Sequence, residues 1–131
     1  MGTPKDRIVA NAEKYHKERG LFTAFANRVV GFLKALPGTD AAVGNGDELN
    51  FSYLGRPHSL RYGFSLTEKG FQSYMTLTTP DQERADGYAI NRTVLFGPDG
   101  KLPQLDHPLS LRDHAEAVFI YLMTGDFQDI K

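Results

Sequence analysis

Residues 48–78 read ELNFSYLGRPHSLRYGFSLTEKGFQSYMTLT, and this run decides the fold. Apolar residues alternate with polar ones: Leu49, Phe51 and Tyr53, then Leu60, Tyr62, Phe64 and Leu66, then Phe71, Met75 and Leu77 with Ser73 among them. A period of two belongs to strands with one buried face, so consecutive antiparallel strands are expected. The joints carry turn chemistry. Pro57 in "GRPHS" presets φ for the first corner of a turn, and "TEKG" ends on a glycine that a hairpin can hold at positive φ.

Working outward, "YAINRTVLF" places Tyr88, Ile90, Val94 and Phe96 on one side, interrupted by Arg92. Either a bulge reverses the pattern there, or the arginine is buried and paired. "GPDGK" is expected to turn this strand back through Leu102. Between the third and fourth strands, "TPDQERADG" reads as a short inserted helix, with Thr79 as cap, Pro80 in the first position and Gly87 as the stop.

Upstream the period changes to that of a helix. Ile8, Ala12, Tyr15, Phe22, Ala26, Val29, Leu33 and Leu36 form a seam, with Arg19 filling its gap. A single rod over residues 4–36 would be about 45 Å long. "KERG" offers a glycine cap, so a break near Gly20 and a helix pair are expected, the greasier second piece being the core helix. Pro37 and Gly38 end it, and "PGTDAAVGNGDE" reads as a loop.

Downstream, Pro108 disfavours helical geometry at His107, so the last helix starts after it with Ser110 as N-cap. Leu111, Ala115, Val118, Phe119 and Leu122 are its buried stripe.

The chain is therefore expected to be one α+β domain over residues 1–131. It has an N-terminal helix or helix pair (4–36) and an antiparallel sheet of four to five strands with a short inserted helix (48–103). A C-terminal helix (110–124) follows, and the helices pack on one sheet face. This element order resembles that of small bacterial secretion-chaperone folds, a resemblance of order with no shared motif.

Composition narrows the function classes. A net charge of −1 supplies no general field for nucleic acid or anionic membrane. With no cysteine, disulfides, thiolate nucleophiles and cysteine-based zinc sites are excluded in this chain. No stretch approaches the roughly 20 apolar residues that span a bilayer. The first residues lack the features of a signal peptide, and Lys5 and Asp6 do not suit myristoylation, so a cytoplasmic protein is expected.

Four groups of residues are candidates for function. Asp106-His107 and Asp113-His114 repeat a metal-ligand dipeptide, but neighbouring residues on a helix splay by about 100° and do not chelate one ion well. They read as a helix start, and no metal, cofactor or catalytic residue is assigned. Arg56, His58 and Arg61 in "GRPHSLRY" would suit a phosphate or carboxylate, with a solvated hairpin tip as the plainer account.

The non-core sheet face carries short hydrogen-bonding side chains around Arg61, Tyr74 and Asn91, with few charges. It suits a ligand, a peptide or another subunit, whereas an RNA-binding sheet would show several aromatics in a basic surround. Finally, "AVFIYLM" is apolar all round. Ala117, Ile120 and Tyr121 lie away from the stripe, so either residues 4–19 cover them or a second chain does.

The preferred expectation is a small non-enzymatic protein-binding module of chaperone, adaptor, immunity or inhibitor type, bacterial or phage, acting through the sheet face or the C-terminal helix. Its partner is a protein, a second copy of the chain included, and not nucleic acid or membrane. The alternatives are a small-molecule-binding domain using the sheet face, and a small hydrolase or isomerase using His58, His107 or His114.

Overall fold

A computed structural model of the protein describes residues 4–44, 47–53, 55–68, 70–80, 89–103 and 109–124. Helix α1 spans Pro4–Lys34, and five strands follow: β1 Thr39–Val43, β2 Glu48–Tyr53, β3 Arg56–Thr67, β4 Gly70–Pro80 and β5 Ala89–Phe96. Helix α2, Ala115–Thr124, closes the order. The strands form one antiparallel meander in the order β1-β2-β3-β4-β5.

Alternation sorts the side chains as the sequence predicts. Leu49, Phe51, Leu60, Met75, Leu77, Val94 and Phe96 point to one face and are buried. Against them pack Phe22, Phe25, Ala26, Val29 and Leu33 of α1 and Val118, Phe119 and Leu122 of α2. Both helices therefore cover the same face. This is an α+β fold with a helix-backed antiparallel sheet.

The register is continuous across the fourth strand pair, with Met75 opposite Val94 and Leu77 opposite Arg92, so no bulge intervenes. Arg92 takes a core-face position at the edge. Its guanidinium, half-buried, donates to the Leu122 carbonyl (3.2 Å) in the last turn of α2, where free carbonyls and the negative helix end favour a cation.

Six expectations are corrected. First, α1 is one helix running through Gly20, about 46 Å by its rise. A mid-helix glycine costs about 1 kcal/mol, but contacts on both sides outweigh it. Tyr15 packs on Tyr62 and Phe64, Arg19 pairs with Asp47, and Phe22 is fully buried against Tyr62. Gly20 itself is exposed, with nothing near its missing side chain.

Second, the seam rotates: Ile8 and Ala12 are exposed, and Glu18, not Arg19, lies in the buried row. Third, residues 39–43 of the supposed loop form the edge strand β1, Ala41 pairing with Phe51. Gly38 at φ +79° and the Thr39 hydroxyl, which donates to the Leu36 carbonyl (2.8 Å), turn the chain from α1 into it.

Fourth, Thr79 and Pro80 belong to β4 and do not begin a helix; the rest of the expected inserted helix, 81–88, lies outside the described residues. Fifth, the β2–β3 turn falls before Pro57, with Tyr53 paired to Arg56 and Gly55 at φ +79°, so the proline is a strand residue.

The turn after β5 behaves as read. Gly100 has φ +80°, and Lys101 bridges antiparallel to Ser110, bringing Leu102 into the core. Sixth, the last helix starts later than expected, at Ala115, and Ser110 opens the turn before it instead of capping the helix. Ser110 Oγ accepts the Asp113 N–H (3.0 Å), and His114 Nδ1 accepts the Ser110 N–H (3.2 Å). His114 is thus an exposed capping group, while Asp106 and His107 lie outside the described residues.

Candidate functional site

The expected anion site of Arg56, His58 and Arg61 is divided by the sheet. Arg61 lies on the outward face, exposed and paired with Glu48 (3.3 Å). His58 lies on the core face, 8% exposed, stacked on Phe51 at 4.9 Å with Nδ1 2.8 Å from Thr79 Oγ1. Arg56 shares the His58 parity on β3. The three side chains therefore do not converge on one anion.

Burial pushes the His58 pKa down, and the nearby Arg56 charge adds to this. With the native value lowered, the unfolded chain takes up the proton first. Stability held above pH 6.5, the ordinary histidine value, is lost as the pH falls through the native value. Acid titration of the unfolding midpoint should show this loss, and His58→Phe should flatten the limb just below pH 6.5.

On the outward face, Gly63 and Tyr74 are a cross-strand pair. The tyrosine ring lies across the glycine so closely that an added Cβ would sit 2.6 Å from its nearest ring atom. Gly63 thus makes room for the Tyr74 ring, which has Leu95 opposite it on β5. Thr76 and Thr93 bridge the next pair at 3.0 Å. Asn91 occupies the β5 position opposite Thr78, and its side chain lies outside what is described.

The second side of α2 has a definite answer. Residues 4–19 do not cover it, because α2 meets the other end of α1: Phe32 packs edge-on to Phe119 at 6.2 Å, and Arg28 donates to the Arg112 carbonyl. Ile120 remains 38% exposed, and Ala117 and Tyr121 are half-buried.

These three residues open onto different clefts. Ala117 borders a wide one with Arg28 and His114, and Tyr121 another of about 260 Å³ with Arg92. Ile120 lines an apolar cleft of about 240 Å³ with Phe32, Leu33, Leu36, Tyr53, Phe119 and Met123. Tyr53 at its rim is 38% exposed. The sequence marked Ile120 but missed Tyr53, Phe32 and Met123, because the end of β2, the last turns of α1 and the end of α2 meet only in the fold.

A buried polar trio was missed as well. Glu18 is 2% exposed, Ser73 is fully buried, and the Tyr62 hydroxyl lies 2.8 Å from Ser73 Oγ. The Ser73 hydroxyl lies between the Tyr62 hydroxyl and the Glu18 carboxyl, and its hydrogen bond to each favours the ionised form. Burial pushes the Glu18 pKa up, against the pull of the Ser73 bond and of Lys14 and Lys17. Burial also raises Tyr62, against the Ser73 bond, and the Glu18 charge adds to the rise. The signals were Ser73 on the apolar side of β4 and Glu18 one turn before Phe22.

Among the described residues no group of three or more histidines, cysteines or carboxylates is placed to hold a metal, and no helix is long and apolar enough to cross a membrane. The molecule is, in class, a helix-backed antiparallel meander with an apolar cleft at one end and a polar open sheet face. Comparison with protein families, curated proteins and solved structures returned no match.

Proposed function

We propose that the protein is a small protein-binding module that receives an apolar side-chain anchor of a partner polypeptide in the cleft beside α2. The carrying observation is that cleft: seven side chains, all aliphatic, aromatic or methionine, with Ile120 and Tyr53 reaching its rim. Aromatic and methionine side chains are the ones enriched in the desolvated centres of interfaces. At about 240 Å³ the cleft is smaller than the roughly 300–1,000 Å³ of drug-sized ligand sites. Its size suits single side chains presented on a peptide or a protein surface. The bacterial or phage origin, and the chaperone, adaptor, immunity or inhibitor roles considered, are variants of this one activity.

The test is selection of a displayed library of random short peptides on the wild-type protein, followed by binding measurements with Ile120→Asp. Enriched peptides should carry a large apolar residue, and the variant should bind them at least about tenfold more weakly. Because Ile120 is partly exposed, the variant should keep its thermal melt. Failure to enrich, or equal binding by the variant, refutes the reading. Light scattering at micromolar concentration separates the case in which the partner is a second copy: the doubled mass then reverts to monomer in Ile120→Asp.

A second reading, a small-molecule site on the outward face, draws on the Tyr74 ring lying over Gly63 beside Arg61. A ligand bound there stacks on Tyr74, so Tyr74→Ala abolishes any thermal shift that the ligand produces.

A further inference from the structure

We propose that Glu18, Ser73 and Tyr62 form a proton-operated latch that fastens the middle of α1 to the sheet, closed while the Glu18 carboxyl carries its proton and loosened once it is ionised.

The position of the trio is the first argument. Glu18 is the outermost buried residue of α1: those after it at Phe22, Phe25, Ala26, Val29 and Leu33 are in the core, and none before it is buried. The helix thus has a docked part and an outlying part, and Glu18 stands at their boundary. Residues Pro4–Ala10 are exposed, and the outlying part rests on the sheet through Tyr15, whose ring meets Tyr62 at 6.1 Å and Phe64 at 5.3 Å. Loosening at Glu18 would therefore free this part before the core is touched.

Chemistry supplies the second argument. A carboxylate removed from water is costly unless its partners replace the lost hydration. Among the described residues Glu18 has the Ser73 hydroxyl as its hydrogen-bonding partner, with the Tyr62 hydroxyl behind it, and no ion pair. Lys14 and Lys17 act on it only through space from its own helix. From the other elements the facing polar and charged groups are Tyr62 on β3, Ser73 on β4 and, at the margin, Asp47 before β2, whose carboxylate is already engaged by Arg19. The neutral acid needs less from this site than the anion does. None of the clefts described above is lined by the trio.

Unlatching has a defined result: Tyr62, Phe64 and Leu66 on the core-side face of the β3–β4 hairpin lose the cover of α1. Phe64 and Leu66 are already 43% and 60% exposed.

Carbon-13 titration of the side-chain carboxyls, combined with amide exchange over α1, tests the latch. Glu18 should titrate above the ordinary glutamate value of 4.5. Protection of the α1 amides before Glu18, corrected for intrinsic exchange, should fall with rising pH. The fall should reach at most about tenfold per pH unit, the limit for one linked proton, and level off above the Glu18 midpoint. Glu18→Gln, which keeps the shape and a neutral hydrogen-bonding group, should leave that protection independent of pH. Ser73→Ala should move the Glu18 midpoint further up, since its hydroxyl favours the anion. Titration of Glu18 at or below the ordinary glutamate value overturns the proposal. So does a wild-type protection profile without pH dependence, or the same dependence in Glu18→Gln.

Discussion

Phe22→Ala should destabilise the protein by about 3–5 kcal/mol, the range for emptying a buried aromatic site, while Ile8→Ala should change it by less than about 0.5 kcal/mol. Both residues belong to the helical seam read from the sequence, so the pair tests where α1 docks. Phe22 is 1% exposed and packs 5.9 Å from the Tyr62 ring, which also meets Tyr15 at 6.1 Å and Phe96 at 6.0 Å. Truncation removes contacts that bind α1 to β3, and the helix cannot collapse into the void without losing Glu18 and Phe25 from their places. Ile8 is 70% exposed. Urea unfolding with unchanged slope measures both values. Similar costs at the two sites would place the outer half of α1 in the core, against the structure.

The second large effect depends on pH. Glu18→Gln should stabilise the protein, by about 1–3 kcal/mol on the alkaline side, the order of cost for an incompletely compensated buried polar group. The sign follows from linkage. The native pKa of Glu18 is raised by burial, so the native state holds the proton after the unfolded chain has lost it. The stabilisation is fully present below the unfolded glutamate value and disappears as pH rises through the native one. The variant should therefore resemble the wild type in mild acid and exceed it at higher pH. His58 works in the opposite sense, losing stability as pH falls. The two contributions thus oppose each other: that of Glu18 is complete below pH 4.5 and that of His58 above pH 6.5. A difference between variant and wild type that is constant with pH would show that Glu18 does not titrate in this range.

Much of the architecture was legible because it rests on periodicity. Strands β2 to β5 announce themselves by alternation, and the glycines at 70 and 100 take the positive φ that their turns require. What escaped was set by partners far away in sequence. "TDAAV" has no apolar alternation to mark it, its β-branched Thr39 and Val43 standing only at its ends, and becomes β1 because β2 offers it an edge. Gly20 resembles a helix end until Tyr15 and Phe22 are seen to be anchored on either side of it. Pro57 carries a turn signature but lies in β3, since Gly55 had already made the turn. The candidate site divides in the same way. Ile120 was visible as a surplus apolar residue on α2, whereas the cleft that it lines and the burial of Glu18 are products of packing.

Helix α2, with ten residues, is shorter than helices that hold together alone in water, which need roughly 12–15. It is pinned at both ends by groups that form no part of the apolar cleft. Ser110 and Arg28 secure its approach, and Arg92 reaches from the sheet edge to its final turn. The wall bearing Ile120 and Met123 is thus a beam on two supports. A substitution at Arg28 or Arg92 would change the width of the cleft without altering one residue inside it.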